Sequence, residues 1–228
     1  NKDKKHPEKK KRPLPSGKVS KIQAILIAIF LFLVSGGISI NLSLLFTLFI
    51  IGLFVNTFFY TMFFKKEPFL DVILIAINFV IRAVSGAFVI TTNNQAYVEV
   101  SQWLIFSPFF LSLFLSLGKR ESDQKLLGKD SKKHKEVLAF YDGKVTNSLM
   151  IISTTLLIIV YSLYIFFSRY EFLIFTLPFS LFVIFRYLYL VEQGSKITRH
   201  PHLIYKDKKI LIGMFFWVVL VIISIYVV

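Results

Sequence analysis

The strongest constraint on this chain is a series of apolar stretches, most of them long enough to cross a bilayer, separated by short clusters of charge. They fall at about 22–39, 42–64, 69–90, 103–117, 145–167, 172–191 and 210–228. A hydrocarbon core about 30 Å thick takes roughly 20 apolar helical residues. The chain is 55% hydrophobic, which alone exceeds a soluble domain only slightly; the segregation of charge from apolar residues decides the class. The expected fold is all-α, a polytopic transmembrane helical bundle forming a single domain over residues 1–228. Residues 1–21 form a polar, proline-containing loop ahead of seven spans.

Seven spans put alternate loops on opposite faces, and the basic residues test that count. Of 27 Lys and Arg, 24 lie in the segments 1–21, 65–67, 119–144 and 192–209, all on one face. The opposite face carries Arg169, while Arg82 and Arg186 lie within spans. Loops rich in Lys and Arg stay in the cytoplasm during insertion. The basic face is therefore expected in the cytoplasm and the C-terminus outside the cell membrane. Insertion accounts for the net charge of +14, so nucleic acid is not an expected partner. The absence of cysteine excludes disulfides, thiolate nucleophiles and cysteine-held metals. The four histidines share no helix face, and no glycine-rich phosphate loop or nucleophile elbow is present.

One stretch breaks the apolar pattern in an ordered way. In YTMFFKKEPFLDVILIAINFVIR, residues 60–82, Lys65 and Lys66 precede a helix that carries Asp71, Asn78 and Arg82. Seven and eleven residues at about 100° each place Asn78 and Arg82 within roughly 20° of Asp71. An ionisable group facing lipid costs about 2.5–3.5 kcal/mol or more, so this stripe is expected to face a protein-lined cavity. Pro68 fits the first turn of that helix.

Polar residues gather where basic loops meet helix ends: Asp3, Lys65, Asp71, Lys119, Arg120 and Asp207. Carboxylates can hold Mg²⁺ together with substrate phosphates, and Lys and Arg can clamp phosphate oxygens. Such a mouth suits a phosphorylated ligand brought to a lipid-like one. Each residue also has a plainer reading. Lys65 and Lys66 can be topogenic, Asp71 a charge favoured at a helix N-terminus, and Asn78 an interhelical hydrogen-bonding group. Arg186 can snorkel to the interface. The segment 119–144 reads as a polar connection whose second half can form a short interfacial helix with Val137, Leu138 and Tyr141 on one side.

Several separated motifs resemble the UbiA superfamily of intramembrane prenyltransferases. Asp3 and the run HP-x-K-x-x-RP-x-x-SG, which includes Lys11 and Arg12, resemble the segment following that superfamily's first aspartate-rich motif. Tyr60-x4-Lys65-x5-Asp71 resembles its second conserved region. Leu117-Gly118-Lys119-Arg120, the run around Arg186 and Lys206-Asp207-Lys208 are similar to the decaprenyl-phosphate phosphoribosyltransferase-like branch. The resemblance implies nine helices around a central cavity open to the cytoplasmic side, of which this chain would carry the last seven. It implies transfer of 5-phosphoribosyl from phosphoribosyl pyrophosphate to a polyprenyl phosphate, with Mg²⁺ assisting loss of pyrophosphate. Asp3 and Asp71 would be metal ligands. Asp71, Lys65 and Tyr60 would be catalytic, and Arg82, Asn78, Lys119, Arg120, Lys11 and Arg12 would bind substrate. Asp3 aligns with the last acid of the first motif, so the earlier acids would lie upstream of Asn1, and the chain reads as an N-terminally truncated, inactive piece. An aromatic prenyltransferase, joining a prenyl diphosphate to a 4-hydroxybenzoate-like acceptor, and an inactive membrane remnant are the alternatives.

Overall fold

A computed structural model describes residues 13–89, 99–127, 140–141 and 143–226. Asp3, Lys11 and Arg12 lie outside the described residues, as do Val137 and Leu138. Among the described residues all regular structure is helical. Six stretches are long and apolar enough to cross a membrane. Helices α1 (Lys21–Leu42) and α2 (Leu44–Met62) are parted by Ser43, whose extended backbone (φ −156°, ψ 145°) breaks the run. Then come α3 (Leu70–Ala87), α4 (Trp103–Leu127) and α5 (Gly143–Phe167). A 3-10 turn at Glu171–Thr176 leads into α6 (Leu177–Glu192), with proline in its first turn. The short α7 (Lys196–Arg199) and α8 (Lys208–Tyr226) follow. The spans are α1, α2, α3, α5, the turn with α6, and α8. The expected span at 103–117 falls in the apolar first part of α4, which is not among the six, so the described residues give six candidate spans where the sequence reading expects seven.

Local chemistry sets the helix ends. Ser20 and Gln23 form a reciprocal capping box at the start of α1, satisfying two orphan donors. Gly194, at φ +59°, closes α6: the Gly194 and Ser195 amides donate back to the Val191 and Leu190 carbonyls, a left-handed cap that glycine adopts without strain. Asp207 caps α8, its carboxylate accepting from the Ile210 amide at 2.9 Å.

Two boundaries differ from the sequence expectation. Helix α4 does not stop near Leu117 but runs on to Leu127. Glu121 and Lys125 pair along it at 3.3 Å, and its buried side meets α7 through a 2.6 Å hydrogen bond between Ser122 and Thr198. Lys119 and Arg120 are therefore helical residues rather than loop residues. Pro68 is not in the first turn of α3. The Leu70 amide donates to the Pro68 carbonyl at 2.7 Å across Phe69, which sits at φ +65°, ψ −43°. This three-residue turn is a strained conformation for a residue with a side chain.

Helix α3 packs between α2 and α4; α4 packs in turn on α5, α6 and α7, and α6 pairs with α8. The core joins Val72, Phe114, Leu117, Tyr141, Met150 and Tyr187. Helix α1 packs chiefly on α2, and no residue of α2 is buried. Polar groups register α2 against α3. Asn56 donates to Asn78 Oδ1 at 2.9 Å and to the Leu74 carbonyl, and Asn78 donates to Thr57 at 3.3 Å. Interhelical hydrogen bonds of this kind contribute about 0.6–2 kcal/mol in a membrane.

Glycine at 118 has a packing reason. A Cβ there would lie 2.9 Å from Tyr187 Cε1 and 3.1 Å from both its hydroxyl and Val191. Tyr187 is itself buried in the core and has no room to yield. Gly118→Ala should destabilise the protein by about 1–3 kcal/mol, read as a lowered unfolding temperature in detergent.

Candidate functional site

The first turn of α3 and the latter part of α4 bring together one acid and one base. Asp71 is 0% exposed and Arg120 5%. The guanidinium donates to Asp71 Oδ2 from Nη2 at 2.6 Å and from Nε at 3.1 Å. Oδ1 accepts from the Tyr141 hydroxyl at 2.5 Å. That same hydroxyl accepts from the Phe69 amide at 3.0 Å, so Tyr141 ties the strained turn to the carboxylate. The Tyr141 ring is fully buried and sits edge-on to Phe69, centroids 5.8 Å apart. Burial pushes its phenol well above the usual range and the Asp71 carboxylate adds to this, so the hydroxyl keeps the proton it donates.

The structure brings some expected residues here and leaves others elsewhere. Tyr60, near the end of α2, is half-buried and lies beside Arg120 and Asp71. Lys65 and Lys66 are exposed on a 3-10 turn, Phe64–Lys66, just ahead of the strained turn. Lys119 is exposed, whereas Arg120, its neighbour, is the buried partner of Asp71. Asn78 serves the α2–α3 contact. Arg82 does not join the site. Eleven residues along α3 put it about 16 Å from the level of Asp71, beyond the reach of one side chain; it is exposed, with its guanidinium 5.8 Å from the Phe79 ring centre. The shared stripe thus divides into an ion pair, a helix–helix contact and a distant cation.

Asp207 belongs to a second pair. Arg186 donates to it from Nη2 at 2.9 Å and lies over the Tyr189 ring. Burial tends to raise the Asp207 carboxyl. The Arg186 hydrogen bonds and the amides of Ile210 and Lys209 outweigh burial and hold it below its usual value. Sequence reading left Arg186 as a snorkelling side chain and missed Tyr141 as a site residue. The one visible signal for Tyr141 was an aromatic inside a lysine-rich connection.

Both oxygens of Asp71 are engaged by Arg120 and Tyr141, and no three His, Asp or Glu side chains converge among the described residues. Among the described residues, the partners of Asp71 are Arg120 and Tyr141.

The model of the UbiA prenyltransferase family matches residues 1–219. The chain belongs to the UbiA prenyltransferase family. It is similar to two curated members, both named decaprenyl-phosphate phosphoribosyltransferase. The one from Mycolicibacterium smegmatis is 26% identical over 168 residues, covering 72% of this chain and 50% of the relative. The one from Corynebacterium glutamicum is 27% identical over 168 residues, covering 71% and 48%. The chain spans about half the length of the curated relatives it matches. The segment from Tyr60 to Asp71 that resembles the family's second conserved region is the turn and helix start carrying Lys65 and Asp71.

Removing one member of a buried pair strands the other charge, at about 3–5 kcal/mol. Asp71→Asn should therefore lower the unfolding temperature as well as abolish turnover. An apolar replacement of both partners, Asp71→Leu with Arg120→Met, should recover much of the stability and none of the activity. Thermal unfolding and turnover of the same preparations check both outcomes.

Asp207 gives a pH test. Its folded carboxyl is held below the unfolded value of about 3.9, so ionisation favours the fold at neutral pH. That contribution fades as pH falls through about 4 and then through the depressed value. Asp207→Asn should unfold at a lower temperature than the parent at pH 7, and the gap should narrow in acid.

Proposed function

We propose that the whole protein transfers 5-phosphoribosyl from phosphoribosyl pyrophosphate to a polyprenyl phosphate and releases pyrophosphate, on the cytoplasmic side of the cell membrane. The observation that carries the reading is the Tyr60–Arg120–Asp71–Tyr141 cluster beside the Lys65 turn, at the basic end of an intramembrane bundle. The family membership and the names of its two relatives support it. The C1–oxygen bond to pyrophosphate breaks while a C1–oxygen bond to the lipid phosphate forms. Arg120 supplies positive charge where negative charge develops on the departing group, in a setting where such charges act strongly, and Lys65 holds a phosphate of the donor. Asp71 holds the Nε and Nη2 edge of Arg120, which fixes the guanidinium plane. Tyr60, beside it, orients a phosphate oxygen or the guanidinium itself. The apolar flanks of the spans accommodate the lipid tail. Asp3 would help to hold Mg²⁺, which would offset negative charge on the departing pyrophosphate.

The deciding assay supplies membranes carrying the full coding sequence with labelled phosphoribosyl pyrophosphate and polyprenyl phosphate, and separately with prenyl diphosphate and 4-hydroxybenzoate. Consumption of the first pair is expected; consumption of the second pair instead would make the protein an aromatic prenyltransferase. Lys65→Ala should raise KM for the phosphorylated donor about tenfold with kcat little changed, as loss of a uniform binding contact does. An unchanged KM would leave Lys65 as a topogenic residue only.

A further inference from the structure

One hydroxyl group in this structure serves two segments that the proposed reaction depends on. Tyr141 comes from the connection after α4, 70 residues from Asp71 and 72 from Phe69. It donates to the carboxylate that orients Arg120. It accepts from the amide at the centre of the strained turn, directly after Lys65 and Lys66. A residue held at φ +65° with a side chain persists only when its surroundings over-determine it. Here those surroundings include the hydroxyl on the Phe69 amide, the ring of Tyr141 on the Phe69 ring, and the Leu70–Pro68 hydrogen bond.

We propose that Tyr141 is a positioning residue for phosphate recognition, fixing Arg120 through Asp71 and, through the Phe69 amide, the strained turn on which the lysine-bearing turn Phe64–Lys66 abuts. Tyr141 itself is buried and touches no substrate. Its removal leaves Asp71 Oδ1 without this donor and the turn without this acceptor, so both cationic walls lose their fixed geometry at once. A side chain present only to fill the core would affect stability and leave the binding of phosphate groups unchanged. The inference rests on the reading that Arg120 and Lys65 bind a phosphorylated donor, whichever acceptor it serves.

Tyr141→Phe tests it, because the ring stays and a single oxygen goes. Detergent-solubilised protein made from the full coding sequence is titrated with inorganic pyrophosphate, and its turnover is measured with both substrates. The expected result is a pyrophosphate Kd weakened about fivefold to tenfold, with donor KM raised by a similar factor and kcat lowered as well, because Arg120 also acts on the charge that develops on the departing group. A Kd equal to the parent's in folded Tyr141→Phe protein would overturn the inference, whatever its unfolding temperature. So would failure of the parent itself to bind pyrophosphate. A parent that binds pyrophosphate but does not consume phosphoribosyl pyrophosphate would remove the proposed reaction, and the titration would still decide the role of Tyr141.

Discussion

Two opposite charges taken out of water, Asp71 and Arg120, impose the order found around them. Desolvating such a pair costs several kcal/mol per ion, and mutual attraction repays this only when the geometry is good and the remaining lone pairs find donors. The chain meets that condition by giving one carboxylate oxygen two guanidinium donors and the other a tyrosine hydroxyl. Each of these requires a helix or loop to arrive in register. The pair therefore demands more of the fold than it contributes to stability. A feature that costly is better explained by orientation of the arginine than by cohesion of the bundle.

The same end of the bundle holds a second arrangement of similar logic. Arg186 and Asp207 link α6 to the start of α8. Glu121, Lys125 and Glu192 link α4 to the end of α6, and Ser122 and Thr198 tie α4 to α7. The basic end is thus cross-braced by polar contacts. The apolar parts of the spans rely on side-chain packing, with one polar register of Asn56, Asn78 and Thr57. The UbiA-family chain concentrates its ionic chemistry where water is near and keeps the bilayer interior largely free of it.

The fold class and the spans were legible because bilayer thickness writes itself into the length of apolar runs. Asp71 was legible because an acid at the start of an otherwise apolar helix has few explanations. Angular periodicity grouped Asp71, Asn78 and Arg82 correctly on one face. It carries no information about which neighbour stands opposite each turn, and the rise of the helix separates Arg82 from the rest. The continuation of α4 was hidden because the apolar run stops at Leu117 and charged residues follow from Lys119; apolar run length records the bilayer, not the end of the helix. Arg120 was seen, but as a loop cation, and its partnership needed that continuation. Tyr141 was invisible as a site residue because its role comes from contacts about 70 positions away, which no local pattern records.

The spacing of the ion pair along the chain has a consequence for biosynthesis. Asp71 is synthesised 49 residues before Arg120 and 70 before Tyr141. In the growing chain the start of α3 must stay at the aqueous surface until α4 has followed it. Only when the next connection emerges does the carboxylate gain its last donor. Withdrawal of Asp71 from water therefore waits on segments synthesised well after it.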